Sequence, residues 1–167
     1  MADWFGACAA IKAMFTSQWV SGSVRRTPIA FQNETPNDGA SPPVTITPWP
    51  PIDENGSPVP WVYFEVEGNS GDLRGAGLPG DNVFLDQGHI IIHVFVPKDY
   101  GVDEQGQLAI AAGNIFRART LYQDGAGAKV VCKSPSPPRE GAVATYPNSG
   151  NQYGVTVTVP FEFFYRG

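Results

Sequence analysis

Residues Gln87–Tyr122 read QGHIIIHVFVPKDYGVDEQGQLAIAAGNIFRARTLY, and the fold turns on how they are parsed. His89 to Val96 is rich in Ile, Val and Phe and lies between Gly88 and Pro97, two breakers. β-Branched and aromatic residues between breakers predict a strand. Ile90, Ile92, Val94 and Val96 share one face; His89, Ile91, His93 and Phe95 share the other. A strand apolar on both sides is normally covered on both. From Leu108 the period changes. Leu108, Ala111, Ala112, Ile115, Ala118 and Tyr122 fall on one helical face, widened by Ile110 and Leu121, which predicts an amphipathic helix over 108–122.

The 167 residues predict one domain, 1–167, long enough to bury a core without staples. Cys8 and Cys132 are far apart and form no CxxC, so both read as free thiols of a reducing compartment. Asp3 stands where a signal peptide carries positive charge, and no apolar run is long enough to span a bilayer. No targeting segment and no membrane contact are therefore expected. A net charge of −5 argues against a general nucleic-acid footprint. The 16 prolines and 19 glycines concentrate in a few stretches, which predicts long shaped loops.

Ala2 to Ser21 predicts a first helix, with Trp4, Cys8, Ile11, Phe15 and Trp19 along one side, Gly22 ending it and Arg25 and Arg26 beyond. Pro28–Phe31 reads as a short strand. Gln32–Pro60, with PNDG, SPP, PWPP and DENG, reads as loop around a brief strand at Val44–Thr47. Trp61–Glu67 is a strand with Val62, Phe64 and Val66 on one side. Gly68–Asp86 is a glycine-dense loop, either mobile or functional. Ala128–Ser134 is a short strand, and Pro135–Ala144 an extended, polyproline-like segment. Gln152–Tyr165 alternates cleanly, with Pro160 marking a bulge or an edge. The sum is an α+β fold: one mixed, mostly antiparallel sheet, two helices packed on one face, and long Gly/Pro-rich loops. The opposite face is left for another subunit.

Motifs for chemistry do not assemble. Gly75, Gly77 and Gly80 spell GxGxxG, but a strand follows where a dinucleotide site needs a helix N-terminus. GNSGD around Ser70 has the texture of a nucleophile loop, yet the only histidines, His89 and His93, lie on an apolar strand. Four strand residues span about 13 Å, whereas two nitrogens on one zinc lie at most about 4 Å apart. One strand therefore does not place both rings on a single ion, and hydrogen-bonded core or interface histidines fit better. The acidic residues Asp53, Glu54, Asp99, Asp103 and Glu104 follow no calcium-loop spacing. No enzyme, metal or cofactor is expected.

The order and texture of the segments resemble the tail terminator (tail-completion) proteins of long-tailed bacteriophages. Four pieces carry the resemblance: the helix at Ala2–Ser21 leading to FQNE at Phe31–Glu34; WVYFEV at Trp61–Val66 before a glycine-rich loop; the His89–Pro97 strand followed by an Ala/Leu-rich helix; and the closing VPFEFFY at Val159–Tyr165. The resemblance implies a virion structural protein of the tail or neck, assembled in the host cytoplasm. It implies a homo-oligomer, a hexameric ring. The ring would cap the head-proximal end of the tail tube, stop its polymerisation and meet a head-completion (connector) protein. DNA would pass through its lumen without specific binding, as an acidic wall repels phosphate. Ser70, Asp72, Leu73, Arg74, Leu78, Asn82 and Phe84 are the expected assembly-contact loop, mobile when free and ordered on assembly. His89, Ile91, His93 and Phe95 form the expected interface strand. Alternatives are another neck or head–tail joining protein, or a small-ligand or glycan-binding β module using Trp49, Trp61 and Tyr63.

Overall fold

The structure, a computed structural model, describes residues 3–21, 27–40, 42–78, 80–98, 102–140 and 152–167. The expected helix stop at Gly22, the arginines Arg25 and Arg26, the turn at Asp99 and the end of the Pro135–Ala144 segment lie outside the described residues. The elements are α1 (Trp4–Ser21), β1 (Ile29–Phe31), β2 (Trp61–Gly75), β3 (Val83–Pro97), α2 (Val102–Asn114), β4 (Thr120–Leu121), β5 (Lys129–Cys132), β6 (Arg139–Glu140) and β7 (Gln152–Arg166). They make an α+β fold with one large mixed sheet. Its order is β1-β2-β3-β7-β5-β4, with β6 also on β7. Among the described residues only β1 runs parallel to its neighbour, and every other pairing is antiparallel.

Strand alternation sets the core. Val62 lies opposite Val94, which lies opposite Val155; Phe64, Ile92 and Val157 form the next row. All six belong to one buried cluster together with Ile11, Phe15 and Trp19 of α1 and Leu108, Ala109 and Ala112 of α2. Phe15 is its hinge: its ring stacks on Phe64 at 4.5 Å, on Trp19 at 5.4 Å and on Phe116 at 6.2 Å. A fully buried aromatic of this kind contributes about 1.5–3 kcal/mol by area alone. The seam of α1 matches the expected spacing, except that Ala7 is buried where Cys8 is half-exposed.

Several expectations are corrected. The largest concerns Gly68–Asp86, which is not a loop. β2 and β3 run 15 residues each and continue through it as a hairpin, with register shifts at Gly68/Ser70 and Leu73/Gly75. The strand holds because β7 lies alongside β3 over the whole length, from Pro97↔Gln152 to Val83↔Arg166. Backbone hydrogen bonds to a long neighbour outweigh weak local propensity.

The second helix starts and stops earlier than its stripe predicts. It opens at Val102, with Asp103 and Glu104 in its first turn, and ends at Asn114. Its buried face runs through Leu108, Ala109, Ala112 and then Phe116, while Ile110 is 50% exposed. Ala118 and Tyr122 have positive φ, 52° and 48°, and Leu121 is drawn into the sheet opposite Val130. Val44–Thr47 makes a single bridge, Asn37↔Thr45, rather than a strand.

Pro160 sits neither on an edge strand nor at a bulge, since β7 is central. Its carbonyl accepts from the Lys133 N–H at 2.8 Å on the β5 side. In an extended residue the nitrogen faces the same way. The missing N–H therefore points into the irregular stretch between β5 and β6, where no ladder bond is lost.

Candidate assembly surface

The expected interface strand lies on the sheet face opposite the α1 seam, and that face divides into two parts. At one end Trp61 and Phe95 are directly opposite and stack at 4.2 Å, and Trp49 meets Trp61 edge-on at 4.7 Å. Trp61 and Phe95 are both 0% exposed, in a small second core with Ala30. The Trp61 indole N–H donates to Gln152 Oε1. Phe95 is thus covered by the chain itself, which corrects its assignment to a partner interface. Trp61 is likewise no exposed platform for a sugar, and the ligand-module reading loses one of the three aromatic residues that supported it.

The next row across the sheet is Tyr63, His93 and Thr156. His93 is buried, with its ring stacked beside Tyr63 at 5.8 Å. Its Nε2 lies 2.9 Å from Glu65 Oε1 and its Nδ1 2.7 Å from Thr156 Oγ1. A carboxylate only accepts, so Nε2 donates to Glu65, and in the neutral ring Nδ1 accepts from the Thr156 hydroxyl. A hydroxyl, an imidazole and a carboxylate in line have the order of a nucleophile triad. Here the imidazole is buried, and the three side chains form a cross-strand strut joining β2, β3 and β7. Ser70 is not part of it: its hydroxyl bonds Gln87 Oε1 at 3.2 Å. Further along, Ile91 stands between Glu65 and Thr158, and His89 between Glu67 and Pro160; Ile91 and His89 are both half-buried. Among the described residues no group of three or more His, Cys, Asp or Glu is placed to hold a metal.

The expected contact-loop residues form the far end of the β2–β3 hairpin. Ser70, Asp72, Leu73 and Arg74 lie on β2; Leu78 and Asn82 are in its turn; Phe84 is on β3. Gly75 ends β2, and Gly77 and Gly80 lie in this turn rather than at a helix N-terminus, with Gly80 in the left-handed conformation at φ 87°. Asn82 steadies the turn by accepting from the Gly77 N–H at 3.0 Å.

Leu73 lies opposite Phe84, and Phe84 opposite Tyr165, in one row on the side that carries Gly88 and Ile90. Phe84 and Tyr165 stack at 5.4 Å. Leu73 and Leu78 are 58% and 80% exposed. Burial first, then the charge and hydrogen bond of Asp86, push the Tyr165 phenol above its ordinary value. Arg166 closes the tip with an ion pair to Asp81 at 2.5 Å. The sequence reading does not foresee the contribution of β7 to this arm. A signal for it is present: a 14-residue alternation at Gln152–Tyr165 needs partners longer than the eight residues of His89–Val96.

No model of a known protein family and no curated protein matches the chain. Eight solved chains do. One aligns with a TM-score of 0.57 at 17% identity, covering 98% of this chain and 96% of its own length, and its designation names no function. At that identity the likeness is one of fold alone.

Proposed function

We propose that this protein is a tail terminator of a long-tailed bacteriophage or prophage. In this reading it is a homohexameric ring with no enzymatic role. The ring caps the head-proximal end of the tail tube, ends its polymerisation and receives a head-completion protein, while DNA crosses its lumen unbound. It resides in the virion neck after assembly in the host cytoplasm. Both helices cover one sheet face, and the Gly/Pro-rich segments shape the contacts at its rim. One observation carries the reading: the sheet outruns its own cover. The far end of the β2–β3 hairpin leaves Leu73 and Leu78 largely exposed, with Leu73 in one row with Phe84 and Tyr165. An apolar projection of this kind fits a contact arm toward the tube or a neighbouring subunit, where a stable interface buries about 800 Å² per partner.

Deleting the gene and imaging lysates by electron microscopy tests it. Overlong, headless tails are the expected result. Tails of normal length that lack heads point instead to a joining role elsewhere in the neck, and normal virions remove the proposal.

A further inference from the structure

The sheet order separates the strand-bearing segments of the sequence into two electrical halves. Residues 27–98, holding β1, β2 and β3, carry two basic and nine acidic side chains; residues 115–167, holding β4 to β7, carry six basic and three acidic. The net charges are −7 and +3, counting histidine as neutral. β3 and β7 adjoin at the middle of the sheet, so each half occupies its own side.

The acidic side also ends in an open edge. β1 pairs with β2 only from Val62 to Phe64. Beyond that, Glu65–Gly75 has no strand partner on its outer side among the described residues. Exposed Glu67 and Asp72 flank this edge. Such a length of unpaired backbone is a template for another chain. On the opposite border, short β4 and its neighbour β5 are flanked by exposed Arg117, Arg119 and Lys129.

We propose that the acidic β2 border of one copy docks on the basic β4–β5 border of the next, head to tail. A two-fold contact would set Glu67 and Asp72 against their own copies, or Arg117, Arg119 and Lys129 against theirs. A heterologous contact joins opposites, and it repeats into a ring or a filament according to the rotation per copy. The ring closure rests on the reading given under Proposed function; the choice of surfaces rests on charge and topology. Opposite borders also steer encounter and set register.

Sedimentation velocity on the full chain tests this at about 0.05 M and about 0.5 M salt, where screening differs strongly. Two charge-reversed variants are compared: Glu67→Lys with Asp72→Lys, and Arg119→Glu with Lys129→Glu. All four side chains are exposed, and circular dichroism checks the fold. The expected result is association of the unaltered chain that weakens with salt. Each variant alone should show a dissociation constant raised about tenfold or more, with association restored in the 1:1 mixture. Should a reversal disturb folding, Glu67→Gln with Asp72→Asn provides the milder loss of the same sign. An assembly whose size and salt response neither variant changes overturns this surface but leaves the ring reading standing. A symmetric dimer overturns the surface as well. A chain that stays monomeric even with purified tail tubes overturns both.

Discussion

Gly88 shows how tightly the centre of the sheet is drawn. A Cβ there would stand 2.5 Å from the Glu67 carbonyl oxygen and 2.6 Å from the Phe161 ring. Neither is a flexible chain end, so Gly88→Ala is expected to destabilise by about 1–3 kcal/mol in urea denaturation. The His93 strut offers a second residue-scale expectation. Thr156→Val removes the hydroxyl and leaves Nδ1 buried without its hydrogen-bond partner, at a cost of about 1–3 kcal/mol. Cys132 offers a third, in pH. Burial pushes its thiol from 9.0 up to about 11. The unfolded chain ionises first, so this group's stabilisation is whole below pH 9 and is lost as pH rises toward 11. The loss amounts to about 2 kcal/mol. Urea denaturation at about pH 8 and about pH 10.5 checks it, with a shallower pH dependence expected for Cys132→Ala. Cys8 and Cys132 were readable as free thiols from their spacing, and both are free. The strut was not readable, because Glu65, His93 and Thr156 lie far apart in the chain and only the register of three strands joins them.

Among the elements, α1 and α2 differ in how much of them the sequence reveals. The steps of three and four through Ile11, Phe15 and Trp19 are a buried seam, as periodicity implies. Phe15→Ala should therefore strip a ring from contact with Trp19, Phe64 and Phe116, costing about 3–5 kcal/mol, measurable by chemical denaturation. The stripe of α2 misled because apolar residues continue past its end. Ile115, Ala118, Leu121 and Tyr122 suit a helix, but Leu121 is taken up by β5 and the left-handed Ala118 breaks the path. Side-chain period is blind to that competition. The β2–β3 hairpin errs the other way: its glycines and polar residues suit a loop, yet β7 supplies a ladder along β3. Hydrogen exchange on the isolated protein should show slow amides at Leu85 and Gln87, between two strands, and fast ones at Ala76 and Leu78, in the turn.

At the scale of the whole molecule, charge and cover are both lopsided. The acidic half of the sheet ends in the open edge of β2, and the hairpin reaches past the part of the sheet that α1 and α2 pack against. The arm is expected to serve contact rather than stability. Leu73→Asp with Leu78→Asp should leave the thermal midpoint within a few degrees, as both side chains are largely exposed. On the tail-terminator proposal, the same pair should give overlong tails when the altered gene replaces the original. Unchanged tail length with a stably folded variant would separate the arm from tube capping.

Composition and alternation alone determined the α+β class, the core rows through Val62, Phe64, Ile90, Ile92, Val94 and Val155–Phe163, and the seam of α1. They do so because a strand must turn every second side chain inward and a helix every third or fourth, whatever the neighbours are. Tertiary structure alone decided where the strands stop, that Trp49 closes over Trp61 and Phe95, that His93 ties three strands, and that acidic and basic halves fall on opposite borders. Each of those depends on which strand lies beside which. Backbone hydrogen bonds to a neighbour carry no mark in the side chains that a local reading can see.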